Sequence, residues 1–215
     1  MNLSSTLATA RILTAAVIDS PELAGPLARA LLVGGLGVME VTFRNAHAAE
    51  CIRRIRAEVP AMCVGAGTLL SPGQIKTARE AGAQFGVSPG FNPGVTRHAV
   101  ETGFPFMPGV LTPGEMEQAV ELGCPIVKFF PAVTAGGPGF LKAIAAPYAH
   151  TPLRIVPLGG IDEVSLAAYL ALPLVIAVGG SWLTDRQLAA AGRWDEITAR
   201  TRRAVHIARS APPAS

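Results

Sequence analysis

A single lysine stands in the middle of an apolar, aromatic run, Ile126-Val127-Lys128-Phe129-Phe130-Pro131-Ala132. A run of that length, β-branched at its start and closed by proline, reads as a buried strand of a parallel sheet. Side chains alternate along a strand, so Lys128 shares a face with Ile126 and Phe130. Burial disfavours an ammonium and lowers its pKa, and a neutral amine is a nucleophile towards carbonyls. The plainer alternatives are a lysine snorkelling at the strand end and a structural ion pair. Glu40 is the matching acid: within Val38-Met39-Glu40-Val41-Thr42, alternation turns it inward with Val38 and Thr42. A buried carboxylate is costly unless paired or functional. Glu40 is therefore either an ion-pair partner of Lys128 or a general acid/base of raised pKa beside an imine-forming amine. Arg44, at the end of the same run, has the fork to clamp a carboxylate, or is simply a solvated loop arginine.

Thr68 and Ser88 are the other polar residues at predicted strand ends. Gly159-Gly160 and Gly179-Gly180-Ser181 follow the last two strands, where many barrels bind phosphate through bare backbone N–H groups. A lone Gly-Gly is more often a tight turn; two in succession at late strand ends carry more weight. Asp162 has a duller part, as N-cap of the following helix with Ser165 near its first turn. Gly86-Val87-Ser88-Pro89-Gly90 matches the G-x-S-x-G nucleophile elbow only in letters. The residue after that serine must donate its N–H to the oxyanion hole, and Pro89 has none. His47, His98, His150 and His206 fall in helices or bottom loops, so no metal site is expected.

These residues need elements to hold them at one end of a sheet, and the chain supplies a repeating unit. After a leading helix over 3–10, strands are predicted at 12–18, 37–43, 63–69, 85–88, 104–110, 126–132, 154–158 and 174–178. Helices fall between them, over 21–33, through Ile52, Ile55 and Val59, up to Gly82, up to Thr102 and over 113–122. A long helix from Trp194 to about Ala208 precedes a frayed tail at 210–215. This alternation predicts a single (β/α)₈ TIM-barrel domain spanning 1–215, with a short N-terminal helix over 1–10. A doubly wound sheet is the competitor. Gly65-Ala66-Gly67 tests it, because a dinucleotide fingerprint needs a third glycine at position 70, and Leu70 is there. No nucleotide cofactor is expected, and none of any other kind.

The 215 residues are 50% hydrophobic and 15% charged, a composition that suits one large core. The formal charge of +3, without clustered Lys/Arg and interleaved aromatics, argues against nucleic acid as a partner. It is compatible with small anionic substrates. Cys51, Cys63 and Cys124 are odd in number and widely spaced, as in a reducing compartment. The N-terminus lacks a basic n-region, and no apolar run approaches the roughly 18 residues that span a bilayer. A cytoplasmic setting without membrane contact is expected.

Five segments together carry a resemblance: Glu40-Val41-Thr42-Phe43-Arg44, Val64-Gly65-Ala66-Gly67-Thr68, Val87-Ser88-Pro89-Gly90, Val127-Lys128-Phe129-Phe130-Pro131-Ala132 and Gly179-Gly180-Ser181-Trp182. In order and spacing, from about residue 11 to 205, the chain resembles the class I 2-keto-3-deoxy-6-phosphogluconate (KDPG) and 4-hydroxy-2-oxoglutarate (KHG) aldolase family. The resemblance implies a (β/α)₈ fold, a homotrimer and metal-free Schiff-base cleavage of KDPG to pyruvate and glyceraldehyde 3-phosphate. It also implies the roles: Lys128 forms the imine, Glu40 moves protons, and Arg44 with Thr68 holds the pyruvyl carboxylate. Pro89 and Phe130 wall the pocket, and Gly159, Gly160, Gly179, Gly180 and Ser181 bind phosphate. The alternatives are cleavage of KHG or of the galactonate epimer, a phosphate-binding barrel enzyme without imine chemistry, and a barrel that binds without turnover. Three departures bear on the substrate taken. Leu158 replaces a usual threonine before the first glycine pair, Leu13-Thr14-Ala15-Ala16 replaces a Val-Pro-Val type of pattern, and Phe43 and Asn45 flank Arg44.

Overall fold

A computed structural model describes residues 2–212. The expected leading helix is α1 (Leu3–Ala10), and strands then alternate with helices to the end. The strands pair as two sheets. One has the order β5 (Phe106–Met107), β4 (Gly86–Val87), β3 (Cys63–Gly67), β2 (Val38–Thr42), β1 (Ile12–Ala16), β9 (Val178–Gly180). The other has the order β6 (Gly109–Val110), β7 (Ile126–Phe129), β8 (Arg154–Pro157). Every pairing is parallel, as the α/β alternation predicts. β2 and β7, the strands of Glu40 and Lys128, are buried at every position.

Two strands differ from expectation, each for a local reason. The fifth, predicted over 104–110, is divided at Pro108, which has no N–H to give a ladder. Before it, Phe106 and Met107 pair with Gly86 and Val87; after it, Gly109 and Val110 pair with Lys128 and Phe129. The Lys128 amide donates to the Pro108 carbonyl across the break, at 2.8 Å. The eighth, predicted over 174–178, is displaced to β9. Its earlier part contributes only the bridge Ile155↔Val175 to β8. Leu174 has φ of 68°, a kink that turns the run from one neighbour to the next. The Ile176 amide donates to Ile155 (3.2 Å), whereas the Val178 amide donates to Arg11 (2.9 Å) on the other side.

The helices start where the chain offers caps. α4 (Pro72–Glu80), α5 (Pro93–Glu101) and α6 (Pro113–Glu121) each begin with a capping side chain, then proline at the first helical position, then glycine. Ser71, Asn92 and Thr112 accept from amides of the first turn, and Thr112 with Glu115 closes a capping box. Each of the three ends at a glycine of positive φ, Gly82, Gly103 or Gly123, the left-handed residue that satisfies the last carbonyls. α2 (Ala24–Val33), α3 (Ala48–Glu58) and α10 (Trp194–Ser210) agree with the predicted helices. α7 (Gly137–Ala145) and the five-residue α8 (Leu166–Leu170) and α9 (Arg186–Ala190) complete the set. Asp162 is not the N-cap of α8, a position held by Ser165. Its Oδ1 accepts from the Ser165 amide (2.9 Å) and hydroxyl (2.7 Å) in the preceding turn. The predicted tail begins inside α10, at Ser210, and residues 213–215 lie outside the described ones. Among the described residues, no helix is long and apolar enough to cross a membrane.

Candidate active site

The carboxyl ends of β1, β2, β7, β8 and β9 surround a cavity of about 710 Å³. Glu40, Arg44, Lys128, Phe130, Leu158, Gly159, Gly160, Gly180 and Ser181 all line it. Lys128 is 5% exposed and Glu40 1%. The Lys128 Nζ lies 5.0 Å from the centre of the Phe130 ring, a cation–π contact that partly compensates its burial. Glu40 has nothing comparable: both carboxylate oxygens are buried without a hydrogen-bond partner. Among the described residues, the ion pair between Lys128 and Glu40 that the sequence allowed is not formed. A buried carboxylate left unsatisfied costs several kcal/mol, and proteins rarely carry such a group without a use for it.

Its position is built by a missing side chain. β3 runs beside β2 with Glu40 opposite Gly65 and Thr42 opposite Gly67. Glu40 leans one step along and lies across Gly67, where any Cβ would overlap its carboxylate. Thr42 is held by a bond from its hydroxyl to the Ala16 carbonyl, 3.2 Å. Arg44 leaves the end of β2 as an exposed side chain and donates from Nε to the Thr68 hydroxyl, 3.3 Å. Thr68 sits at φ 59°, a strained conformation for a β-branched residue and one that clusters at functional sites.

Three predicted residues do not line the cavity but stand behind those that do. Thr68 reaches it through Arg44. The backbone of Pro89 packs against Gly109, the β-pairing partner of Lys128. Gly179 lies under the Leu158 side chain, which occupies the space a Cβ would take. Ser88 is engaged structurally: its hydroxyl donates to the Gly90 carbonyl (2.8 Å) and accepts from the Gly109 amide (3.3 Å).

The cavity also has walls that the sequence did not single out. Trp182 folds its ring over Gly180. Thr184 donates to the Ala15 carbonyl (3.0 Å) and lies 3.4 Å from the Thr14 hydroxyl, joining β1 to the chain after β9. Asp185 caps α9 by accepting from the amides of Gln187 and Leu188, and Arg186 follows on the rim. A Thr-Asp pair before a short apolar stretch is a cap signal that was available in the sequence; the others carry no local signal. Among the described residues, no group of three or more His, Cys, Asp or Glu side chains is arranged to hold a metal ion.

Known proteins resemble this chain in sequence and in fold. The family model described as KDPG and KHG aldolase matches residues 3–200. A 2-dehydro-3-deoxy-phosphogluconate aldolase of Treponema pallidum (strain Nichols) is 46% identical over 197 residues, covering 92% of this chain and 93% of its own. Among solved structures, the 2-keto-3-deoxy-6-phospho-gluconate aldolase of Zymomonas mobilis superposes with a TM-score of 0.90 at 37% identity, covering 99% of this chain and 100% of that one. The KDPG aldolase of Legionella pneumophila, with pyruvate captured as a covalent carbinolamine, gives 0.89 at 34% identity, with coverage of 94% and 97%.

Proposed function

We infer the activity from the family to which this chain belongs, the KDPG and KHG aldolases: it is a class I aldolase that cleaves 2-keto-3-deoxy-6-phosphogluconate to pyruvate and glyceraldehyde 3-phosphate. The observation that carries the assignment onto this chain is the pairing in one cavity of a buried lysine with a buried carboxylate bonded to nothing. The Legionella relative, whose pyruvate is covalently held as a carbinolamine, supports amine chemistry.

The Lys128 amine adds to the C2 ketone, and Glu40 protonates the carbinolamine oxygen so that it leaves as water. The resulting protonated imine is an electron sink. Removal of the C4 hydroxyl proton, by Glu40 directly or through a water, breaks C3–C4, releases the aldehyde and leaves an enamine. Glu40 returns its proton to C3, and hydrolysis of the imine frees pyruvate and Lys128. Arg44, steadied by Thr68, pairs with the pyruvyl carboxylate, while Phe130 and Leu158 wall the carbon chain and Pro89 stands behind Lys128 against Gly109. Gly159, Gly160, Gly180 and Ser181 receive the phosphate, and Gly179 stands behind them under Leu158. No cofactor takes part.

The two sheets share both of their linking runs, 106–110 and 174–180, which supports reading them as one (β/α)₈ barrel. A homotrimer and a cytoplasmic setting are part of the same proposal. Borohydride reduction with pyruvate tests the chemistry. Mass spectrometry is expected to find the reduced adduct on Lys128, and the same preparation to release pyruvate from the sugar acid. Turnover without an adduct would point to a non-imine enzyme, and an adduct without turnover to a barrel that only binds.

A further inference from the structure

Three cations line the cavity: Lys128, Arg44 and Arg186. On the mechanism above, Lys128 becomes the imine and Arg44 sits beside Thr68 at the ends of β2 and β3. Arg186 lines the same cavity as Gly160 and Ser181 and follows Ser181 by five residues in the chain. The glycine pairs and Ser181 by themselves offer a phosphate only neutral donors. Arg186 does not wander over the surface. Its Nε donates to Asp19 Oδ2 at 2.9 Å and its Nη2 to Oδ1 at 2.6 Å, a two-pronged clamp. Asp19 follows the β1 run, so the pair ties the loop after β1 to the chain after β9, the strand beside it in the sheet.

The clamp uses one edge of the guanidinium. Nε–H and one Nη2–H are spent on Asp19, and Nη1 has no other hydrogen-bond partner among the described residues. A guanidinium held by one edge with the other edge open is the fork that phosphate oxygens fit. The pair is exposed, at 61% and 45% of side-chain area, and as a mere surface ion pair it would contribute little to folding. Yet among the described ion pairs, it alone places its arginine on the wall shared by Lys128 and Glu40. We propose that Arg186 is a specificity-determining residue for the phosphorylated end of the substrate, and that Asp19 is the positioning residue that aims it. The proposal rests on the aldolase assignment and adds to it the source of phosphate preference.

The test compares kcat/KM for 2-keto-3-deoxy-6-phosphogluconate with kcat/KM for its dephosphorylated form, at one fixed, low ionic strength, in the full chain. Arg186→Gln is expected to lower the ratio of the two about tenfold, the low end for a charge-assisted bidentate contact, since the site is partly open to water. Arg186→Lys should recover part of that loss, because charge returns without the fork. Asp19→Asn should lower the ratio by less, and should have no further effect in an Arg186→Gln background. An unmoved ratio in Arg186→Gln, or an equal loss on both substrates, overturns the assignment of Arg186. An Asp19→Asn effect that persists without Arg186 overturns the positioning role. Pyruvate trapping at Lys128, run on the same proteins, separates the levels. If the wild type does not trap, the aldolase assignment falls. If it traps and the ratio stays fixed, only Arg186 does.

Discussion

Gly67→Ala should disable the enzyme without unfolding it, because the methyl group would land on the Glu40 carboxylate. A Cβ built at Gly67 overlaps the Glu40 Cδ and Oε1 and stands 2.5 Å from Cγ. Carbon atoms in ordinary contact stay about 3.5–4.0 Å apart, so Cγ must retreat by about 1 Å and the carboxylate beyond it further. The backbone does not object. Gly67 is absent from the positive-φ positions, so alanine is conformationally admissible and even removes some freedom from the unfolded chain, worth about 0.4–1 kcal/mol. What gives way is the end of one side chain. A misplacement of about 1 Å in a catalytic group can cost about 10²-fold, and a positioned acid/base contributes about 10²–10⁴-fold in all. The expected result is kcat lower by about 10²-fold, with a thermal midpoint within a few degrees of wild type. Pyruvate release can be followed continuously, and the borohydride adduct on Lys128 should still form, more slowly. Glu40→Gln is the control, itself costing about 10²–10⁴-fold; in that background Gly67→Ala should cost almost nothing more, since both act on one group. A kcat for Gly67→Ala within about threefold of wild type, or full additivity with Glu40→Gln, would refute the role given to Glu40 here.

Three other variants bear on separate parts of the structure. Lys128→Met should abolish cleavage and the borohydride adduct while the urea midpoint holds or rises, since methionine removes a buried charge and keeps a sulfur–aromatic contact with Phe130; cleavage within tenfold of wild type would exclude the imine. Leu158→Thr should raise the preference for the gluconate-derived over the galactonate-derived epimer, because a hydroxyl can bond the C4 hydroxyl whereas an apolar wall discriminates weakly; unchanged kcat/KM values for both epimers would leave Leu158 as packing over Gly179. Burial pushes the Cys51 and Cys124 thiols up to about 11. Their folded values lie above the unfolded value of about 8.5, so their stabilising contribution is whole below that pH and is lost as pH rises through about 11. The urea midpoint of wild type should fall more steeply between about pH 9 and 11 than that of a Cys51→Ala/Cys124→Ala variant, and equal slopes would contradict the burial of these thiols.

Much of the scaffold was legible because strands and helices here are separated by strong local signals. Cap-proline-glycine starts and glycine stops bracket α4, α5 and α6, and the apolar runs between them are too short for buried helices. Where legibility failed, the local signal was flat. The stretch from Leu172 to Val178 is apolar throughout except for its proline. It has no alternation to fix a register, and its glycine pair reads as a turn although Val178, Gly179 and Gly180 are the residues that pair with β1. Pro108 was visible, but nothing in the sequence says that the chain changes partner there. Lys128 and Glu40 announced themselves as charges inside apolar runs. Arg44 and Thr68 stood out only as polar residues at strand ends, with a carboxylate clamp as one of two readings of Arg44, and the family resemblance supplied their paired role. Trp182 stood in a resemblance segment without a role, and Thr184-Asp185 signalled only a helix cap; that these residues and Arg186 meet the cavity follows from the placement of the segment after β9.

The glycines of the site are the least readable part, and they do something other than turn the chain. Gly67, Gly179 and Gly180 have no need of a left-handed conformation. Each is a bare spot on a strand or at its end that accepts a neighbour's side chain: Glu40 over Gly67, Leu158 over Gly179, Trp182 over Gly180. A parallel sheet buried on both faces has little free volume at its core, and a functional side chain must either displace packing or be given a gap. Here the gaps come from strand positions without Cβ, and each fixes one wall of the pocket. Glycine in a strand interior weakens it, so three such positions around one cavity mark where folding stability is exchanged for the placement of a carboxylate, an aliphatic wall and an aromatic cover. Growth at any of them would move the overlying side chain before it moved the sheet.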